Sequence, residues 1–175
     1  LRLLTHQFEG RRKGGFVLTY STLASIVKYP YSSTLDKGKS KFGFFESERE
    51  SYERIATELG IPFTAGPEGT QAVRYPLVYL VEAADDICYE VMDIEDAFKL
   101  RILTYEETQE LLLGFFETDE RKSLMEHYPE GTDQGDRIAF YRSCAINALE
   151  RACVDIFVAN EDAILAGTFT GSLIS

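Results

Sequence analysis

Residues 82–96 read EAADDICYEVMDIED and place acidic side chains inside an otherwise apolar stretch. From Pro76 to the end of this run there is no glycine and no further proline, and proline suits the first turn of a helix. At about 100° per residue, Asp85, Tyr89 and Asp93 fall on one stripe of such a helix. We therefore predict a helix that begins at Pro76 and presents a ladder of carboxylates along one side.

The other side of the predicted helix is apolar and is expected to face the protein core. The residues assigned to it are Leu77, Leu80, Ala84, Ile87, Cys88, Val91 and Ile94. Glu82 and Asp96 extend the acidic stripe, so that four acids and a tyrosine share it. A helix with this division packs its apolar half inward.

Two interpretations of the acidic stripe are open. Acidic residues outnumber basic residues by 29 to 18 in the chain, so the stripe can be a solvated surface. Against this, no lysine or arginine lies between Glu82 and Asp96 to relieve the repulsion, which costs roughly 0.2–0.5 kcal/mol per like pair. Residues 77–88 are also too apolar for a helix wholly on the surface. A buried carboxylate needs a cation, a metal ion or several donors, and a metal ion is the simplest partner.

Three segments together resemble a known family. Residues 74–89, RYPLVYLVEAADDICY, with the acids at 93–96, resemble the final metal-ligand helix of the deoxyguanosinetriphosphate triphosphohydrolases. That family belongs to the HD-domain superfamily of metal-dependent phosphohydrolases. Residues 14–24, GGFVLTYSTLA, followed by VKYP at 27–30, and residues 41–45, KFGFF, match it in order and spacing.

The resemblance implies roles for five residues. Asp85 corresponds to the last metal ligand, Tyr89 and Asp93 to residues that meet the substrate phosphates and sugar, and Lys28 and Tyr29 to a polyphosphate-binding pair. No catalytic residue is assigned within the chain. A carboxylate is a hard ligand suited to Mg²⁺ or Mn²⁺, and a mixture with imidazoles also admits Fe, Ni or Zn. A divalent metal is therefore the expected cofactor.

Most of the family's metal ligands are missing from the sequence. HD hydrolases need a histidine and then an adjacent His-Asp pair before the distant aspartate, whereas His6 and His127 are the two histidines here and neither precedes an aspartate. The chain opens with LRLL at residues 1–4, which is typical of the middle of a helix. We therefore expect an internal or C-terminal piece of a longer enzyme, inactive without an upstream His and His-Asp segment.

The function that the resemblance implies is hydrolysis of a deoxynucleoside triphosphate, with dGTP as first choice, to the deoxynucleoside and inorganic triphosphate. A metal ion would polarise the α-phosphate for attack by water, and a homo-oligomer is expected because related enzymes assemble symmetrically. The alternative is a non-catalytic helical module derived from an HD-domain protein, which binds a nucleotide or forms an oligomer. An upstream histidine followed by His-Asp would support the enzyme.

Length and composition restrict the other classes of function. With 175 residues and 45% apolar residues, the chain can form one core, so residues 1–175 are treated as a single helical region of a larger HD-domain hydrolase. A net charge of −11 argues against nucleic acid as the main partner, and no stretch approaches the roughly 18 apolar residues of a membrane span. The three cysteines lack CxxC spacing and are expected to be reduced, buried thiols of a cytoplasmic protein.

The remaining patterns predict helices joined by loops, so the expected fold class is all-α, a partial HD-domain-like helical bundle. Helices are expected over residues 19–28, 47–59, 104–116, 136–159 and 161–165. Residues 31–45 and the Gly- and Pro-rich residues 61–71 are expected to be loops, residues 118–135 are irregular, and no strand is predicted. Two capping boxes are predicted, Ser47 with Glu50 and Thr104 with Glu107. Arg137 and Arg142, on the long helix, could reach a neighbouring subunit or a nucleotide, but ordinary surface pairing is the preferred interpretation.

Overall fold

The computed structural model describes residues 1–7, 9–10, 15–35, 41–66, 69–129 and 131–174. Within these ranges the elements in chain order are α1 (Arg2–Thr5), α2 (Tyr20–Ser25), α3 (Arg49–Glu58), β1 (Phe63–Gly66), β2 (Gly69–Ala72), α4 (Pro76–Lys99), α5 (Tyr105–Leu113), α6 (Thr118–Glu126), α7 (Gln134–Ala159) and α8 (Glu161–Leu165). The predominance of helix confirms the all-α part of the predicted fold class. None of these helices combines the length and apolarity that a bilayer crossing requires.

The contacts divide the chain into two compact units. The first unit comprises Leu1–Glu82 and Asn160–Gly171, and the second comprises Ala83–Ala159 and Ser172–Ser175. The division falls inside α4, which is one continuous helix from Pro76 to Lys99.

The core of the first unit forms where α2 packs on α3. The rings of Phe44 and Tyr52 stack there with centroids 4.6 Å apart. The buried members of this core are Leu23, Ala24, Val27, Phe44, Tyr52, Ile55, Ala56, Ile61 and Ala72. Burial of apolar surface contributes about 25 cal/mol per Å² to the stability of the fold. Because Val27 is a member of this cluster, the cluster fixes the start of the segment that follows α2.

A hairpin occupies the segment that was predicted as a loop. β1 and β2 pair antiparallel in a register that sets Phe63 opposite Ala72 and Gly66 opposite Gly69. The expectation of no strand was therefore wrong. The two strands are only four residues each and carry no alternating run of large apolar side chains, which is the pattern that identifies strands in a sequence.

The core of the second unit forms where α5 packs along α7. Its buried residues include Leu112, Leu113, Ile138, Tyr141, Ala145 and Cys153, and the Cys153 thiol donates to the carbonyl of Leu173 at 3.3 Å. α6, which was predicted as irregular, buries none of its residues. Without a buried face it has no apolar period, and this is why the sequence did not reveal it.

The buried side of α4 differs from the predicted one. Ile87 and Val91 are buried as expected, but Ala83 and Glu95 complete their row at spacings of four residues. Leu77, Ala84 and Cys88, which were assigned to the core, are exposed. The prediction was wrong for these three because the apolar arc of this helix is wide, and a wide arc leaves the direction of its centre poorly determined.

The helix caps were predicted with mixed success. Thr104 caps α5, accepting from the amide of Glu107 at 3.2 Å while Glu107 accepts from the amide of Thr104 at 2.8 Å. The box expected at Ser47 does not form, since Glu48 instead accepts from the amide of Phe45 at 2.7 Å, within a 3-10 turn that leads into α3. Both arrangements satisfy amides that a helix start leaves without partners.

Candidate functional site

Lys28 and Tyr29 lie in the first unit, shortly after α2. Thr19 caps α2, accepting from the amide of Thr22 at 3.2 Å, and the helix ends at Ser25, earlier than predicted. The Lys28 side chain is 42% exposed, and its Nζ lies 2.7 Å from Oε1 of Glu82 and 6.0 Å from the centre of the Tyr29 ring. Lys28, one member of the predicted polyphosphate pair, thus forms an ion pair with an acid of the predicted stripe.

Glu82 binds two cations at once. Lys28 contacts its Oε1, and Nη2 of Arg74 contacts its Oε2. Burial raises the pKa of Glu82, but the hydrogen bonds and charges of Lys28 and Arg74 outweigh this effect and hold the pKa below its usual value. Glu82 is therefore ionised at neutral pH, and the three groups together carry one net positive charge.

A chain of contacts holds Arg74 against the interior of the first unit. Its guanidinium carbon lies 4.6 Å from the centre of the Tyr79 ring, within the range of a cation–π interaction. Tyr79 is 3% exposed, donates its hydroxyl to the carbonyl of Phe169 at 2.9 Å and meets the Phe169 ring edge-on at 5.3 Å. The sequence did not single out Arg74 or Tyr79, although both lie in the segment that carries the family resemblance.

The backbone at Tyr29 is fixed by the segment that contains Gly43. The amide of Gly43 donates to the carbonyl of Tyr31 at 3.1 Å, and the amide of Ser33 donates to the carbonyl of Phe44 at 2.9 Å. A Cβ atom at Gly43 would lie 1.9 Å from the carbonyl oxygen of Tyr29. Two of the segments that resemble the family are therefore in direct contact, and the contact requires glycine.

Asp85, Tyr89 and Asp93 lie in the second unit, on α4. All three are exposed, and the Tyr89 side chain reaches 72%. Ile87 and Val91, between them in the sequence, are buried. These three predicted residues therefore share the accessible side of the helix, where they can contact a ligand.

The residues described do not by themselves provide a metal site. Among them, no three His, Cys, Asp or Glu side chains come together to hold an ion. His127 stacks on Phe140 with ring centroids 4.3 Å apart, an ordinary packing role. A divalent ion needs several protein ligands or water molecules, and Asp85 can supply only one ligand.

A cleft of about 760 Å³ in the first unit includes none of the predicted site residues. Arg2, His6, Tyr20, Glu48 and Arg54 are among the residues that line it. Two groups of basic residues that could contact phosphate, Arg11 to Lys13 and Lys37 with Lys39, lie outside the described residues. Neither Lys28 nor Glu82 is among the residues that line the cleft.

Comparison with known proteins identifies the class to which the chain is related. No family model matches the chain. A Pseudomonas aeruginosa protein named "Deoxyguanosinetriphosphate triphosphohydrolase-like protein" is 38% identical over 173 residues, which cover 97% of this chain and 37% of the relative. A Synechocystis protein of the same name is 35% identical, covering 99% of this chain and 40% of the relative. An Enterobacter protein named "Deoxyguanosinetriphosphate triphosphohydrolase" is 29% identical, covering 96% of this chain and 37% of the relative.

These relatives belong to one class, the deoxyguanosinetriphosphate triphosphohydrolases and the proteins named after them. Over almost its whole length the chain is homologous to part of these proteins, which confirms the family resemblance seen in the sequence. The chain spans between 37% and 40% of the length of these relatives.

Proposed function

We propose that the protein hydrolyses deoxynucleoside triphosphates, with dGTP the first choice, to the deoxynucleoside and inorganic triphosphate. The observation that carries this proposal is the homology over 97% of the chain to a protein named "Deoxyguanosinetriphosphate triphosphohydrolase-like protein". It is supported by the Lys28–Glu82–Arg74 group, which carries one net positive charge. A homo-oligomer is the assembly that we expect for the active protein.

Lys28 and Tyr29 are proposed to bind the polyphosphate. An ammonium group acts as a point charge for phosphate oxygens, and the Lys28 side chain is accessible at 42% exposure. Tyr89 and Asp93 are proposed to meet the phosphates and the 3′ side of the deoxyribose, because a carboxylate accepts a hydrogen bond from a hydroxyl group. A tyrosine ring against C2′ would exclude the extra hydroxyl of a ribonucleotide.

Asp85 is proposed to supply one oxygen ligand to a divalent cation. Mg²⁺ or Mn²⁺ fits a carboxylate best, and imidazole ligands from outside these 175 residues would also admit Fe, Ni or Zn. When bound, such an ion polarises phosphoryl oxygens. The exposure of Asp85 on the same side of α4 as Tyr89 is consistent with this role.

The test uses the protein as its gene encodes it, together with the isolated 175-residue chain. We expect triphosphate release from dGTP by the encoded protein and none by the isolated chain. Asp85→Asn is expected to abolish turnover and to lower the metal content measured by elemental analysis. Glu90→Gln, which removes an exposed carboxylate from the same helix, is the matched control and should change neither quantity.

Two results would contradict these assignments. If Asp85→Asn kept its bound metal and its turnover, Asp85 would not be a metal ligand. If the encoded protein bound dNTPs but released no triphosphate from any of them, the protein would be the non-catalytic helical module. Sedimentation of the encoded protein tests the expected homo-oligomer independently.

A further inference from the structure

We infer that Glu82 and Arg74 are positioning residues that fix the ammonium group of Lys28 where a polyphosphate binds. This inference depends on the proposed function, which assigns Lys28 to the polyphosphate. A lysine side chain has a flexible four-carbon stem and loses rotamer entropy when it is held in one position. At 42% exposure, Lys28 needs a partner to hold one position before the substrate arrives.

Glu82 is suited to hold Lys28 because it is itself held from its other side. Its side chain is 17% exposed, and each carboxylate oxygen contacts a different cation, Lys28 at Oε1 and Arg74 at Oε2. Hydrogen bonds between charged partners are stronger than neutral ones. A carboxylate fixed by two such bonds has little freedom to rotate.

Arg74 connects Glu82 to buried residues of the first unit, and this connection limits the movement of Glu82. Its guanidinium group packs over the Tyr79 ring, and Tyr79 is anchored by its hydroxyl to the carbonyl of Phe169. The neighbouring Tyr75 hydroxyl lies 2.9 Å from Oγ of Ser21 on α2, the helix that leads to Lys28. The segment that carries Arg74 is thus fixed to the helix that precedes the lysine.

The charge balance favours a positioning role over simple neutralisation. Two cations share one carboxylate, so the group keeps one net positive charge after both ion pairs have formed. Glu82 therefore orders Lys28 without removing the attraction of the group for a phosphate. If Glu82 instead competed with phosphate for Lys28, its removal would tighten substrate binding.

The experiment is a double-mutant cycle in the encoded protein, with steady-state kinetics on dGTP. Glu82→Gln keeps the shape of the side chain but loses its charge, and should raise KM about tenfold, as loss of one charge-assisted hydrogen bond predicts, with a smaller change in kcat. In the Lys28→Met background the same substitution should have no further effect on KM. A purely structural role would give effects that multiply in the double variant.

Two further variants test whether the position of the Glu82 carboxylate matters as well as its charge. Glu82→Asp keeps the charge but is one methylene shorter, so its carboxylate cannot reach both Lys28 and Arg74. Its KM should therefore be higher than that of the wild type. A KM equal to the wild-type value would overturn the positioning role. Glu53→Gln removes an exposed carboxylate from the same unit, 3.8 Å from Arg49, and should leave KM unchanged. Thermal unfolding of each variant confirms that it folds.

Failure of the inference can be distinguished from failure of the proposed function. A fall in KM for Glu82→Gln, or independent effects in the double variant, overturns the inference while dGTP hydrolysis stands. An unchanged KM in Lys28→Met overturns both the assignment of Lys28 and the inference. If the wild type hydrolyses no dNTP, calorimetric binding of inorganic triphosphate replaces KM, and equal binding by wild type and Glu82→Gln overturns the inference.

Discussion

Arg142 on α7 donates from Nη1 to Oε2 of Glu95 on α4 at 2.7 Å, and the Glu95 side chain is only 7% exposed. The pair joins two helices of the second unit through residues 47 positions apart. Burial raises the pKa of Glu95, but the hydrogen bond and charge of Arg142, with a contribution from Lys99, outweigh it and hold the pKa below 4.5. Glu95 is therefore ionised at neutral pH, and Arg142 compensates its burial.

Arg142→Met should destabilise the protein by about 2 kcal/mol, because it leaves a buried carboxylate without its main partner. A carboxyl group with a lowered pKa in the folded state contributes stability that is present above its unfolded pKa and is lost as the pH falls through its folded pKa. The difference between wild type and variant should therefore be largest at neutral pH and shrink below pH 4.5. Urea unfolding over this pH range measures it.

Lys99→Met is the control for that prediction. Lys99 lies 3.4 Å from Oε1 of Glu95, but its side chain is 57% exposed. Exposed ion pairs contribute about 0–1 kcal/mol, so this variant should be clearly more stable than Arg142→Met. Equal losses for the two variants would show that Arg142 is not the partner on which Glu95 depends.

Tyr52→Phe should leave the first unit as stable as the wild type or up to about 1 kcal/mol more stable. The Tyr52 hydroxyl is buried and has no hydrogen-bond partner among the residues that the structure describes, and burial raises the pKa of Tyr52 to about 12. The ring, stacked on Phe44, is retained in the variant. Equilibrium unfolding in urea measures the change.

Tyr79→Phe makes the same chemical change at a second buried tyrosine with the opposite expected outcome. The Tyr79 hydroxyl donates to the carbonyl of Phe169 at 2.9 Å, so its loss should cost about 1 kcal/mol. If Tyr52→Phe destabilised the protein as much as Tyr79→Phe does, the Tyr52 hydroxyl would have a partner in solution.

The local features of the fold could be predicted from the sequence because their causes are local. Pro76 begins α4, and Thr104 with Glu107 caps α5, because each signal acts within one helical turn. Ile87 and Val91 were placed correctly by the helical period. Cys88 was placed on the buried side incorrectly. It is an apolar residue next to the buried row of Ile87 and Val91, and the sequence alone does not distinguish such a neighbour from a member of the row.

The pairing of charges could not be predicted from the sequence. Lys28 and Glu82 were each singled out, but their contact at 2.7 Å depends on packing that brings α4 to the segment after α2. With 18 basic and 29 acidic residues in the chain, composition does not select one pair among many. The pairing of Arg142 with a nearly buried glutamate was missed for the same reason, since it was expected to be a surface contact.

Gly43→Ala should destabilise the first unit by about 2 kcal/mol or more, the usual cost of forcing extra volume into a packed site. The new Cβ would lie 1.9 Å from the carbonyl oxygen of Tyr29 and 2.7 Å from Cγ1 of Val27, and backbone has little room to move. Amide exchange of Gly43 and Ser33, whose hydrogen bonds join the two segments, should accelerate.

Gly135→Ala is the matched control for the substitution at Gly43. Its added Cβ would meet only the Oδ1 atom of Asp133, a flexible side chain, at 2.9 Å. Because alanine is the better helix former by about 1 kcal/mol, this variant should unfold at a similar or higher urea concentration. Comparable destabilisation by both variants would show that the close approach to Tyr29 is not the cause.

The carboxyl group of Glu46 should titrate with a pKa of about 2. Hydrogen bonds from Arg49, Ser32 and Thr34, in that order of effect, lower the pKa from 4.5. The three donors lie between 2.6 and 2.9 Å from the Glu46 oxygens. Because these bonds favour the ionised form, their contribution to stability is present above pH 4.5 and is lost as the pH falls toward about 2. Carboxyl chemical shifts followed by NMR during an acid titration measure this pKa.

Substitution of the donors tests which of them holds Glu46. Arg49→Met removes the largest cause and should raise the pKa of Glu46 further than Thr34→Val does, because Arg49 contributes both a charge and two N–H donors. Ser32 is 1% exposed and accepts from Arg49 at 3.0 Å, so loss of Arg49 should also speed the amide exchange of Ser33. A wild-type Glu46 that titrated near 4.5 would mean that this hydrogen-bonded group, which fixes the segment after Tyr29 to the start of α3, does not form in solution.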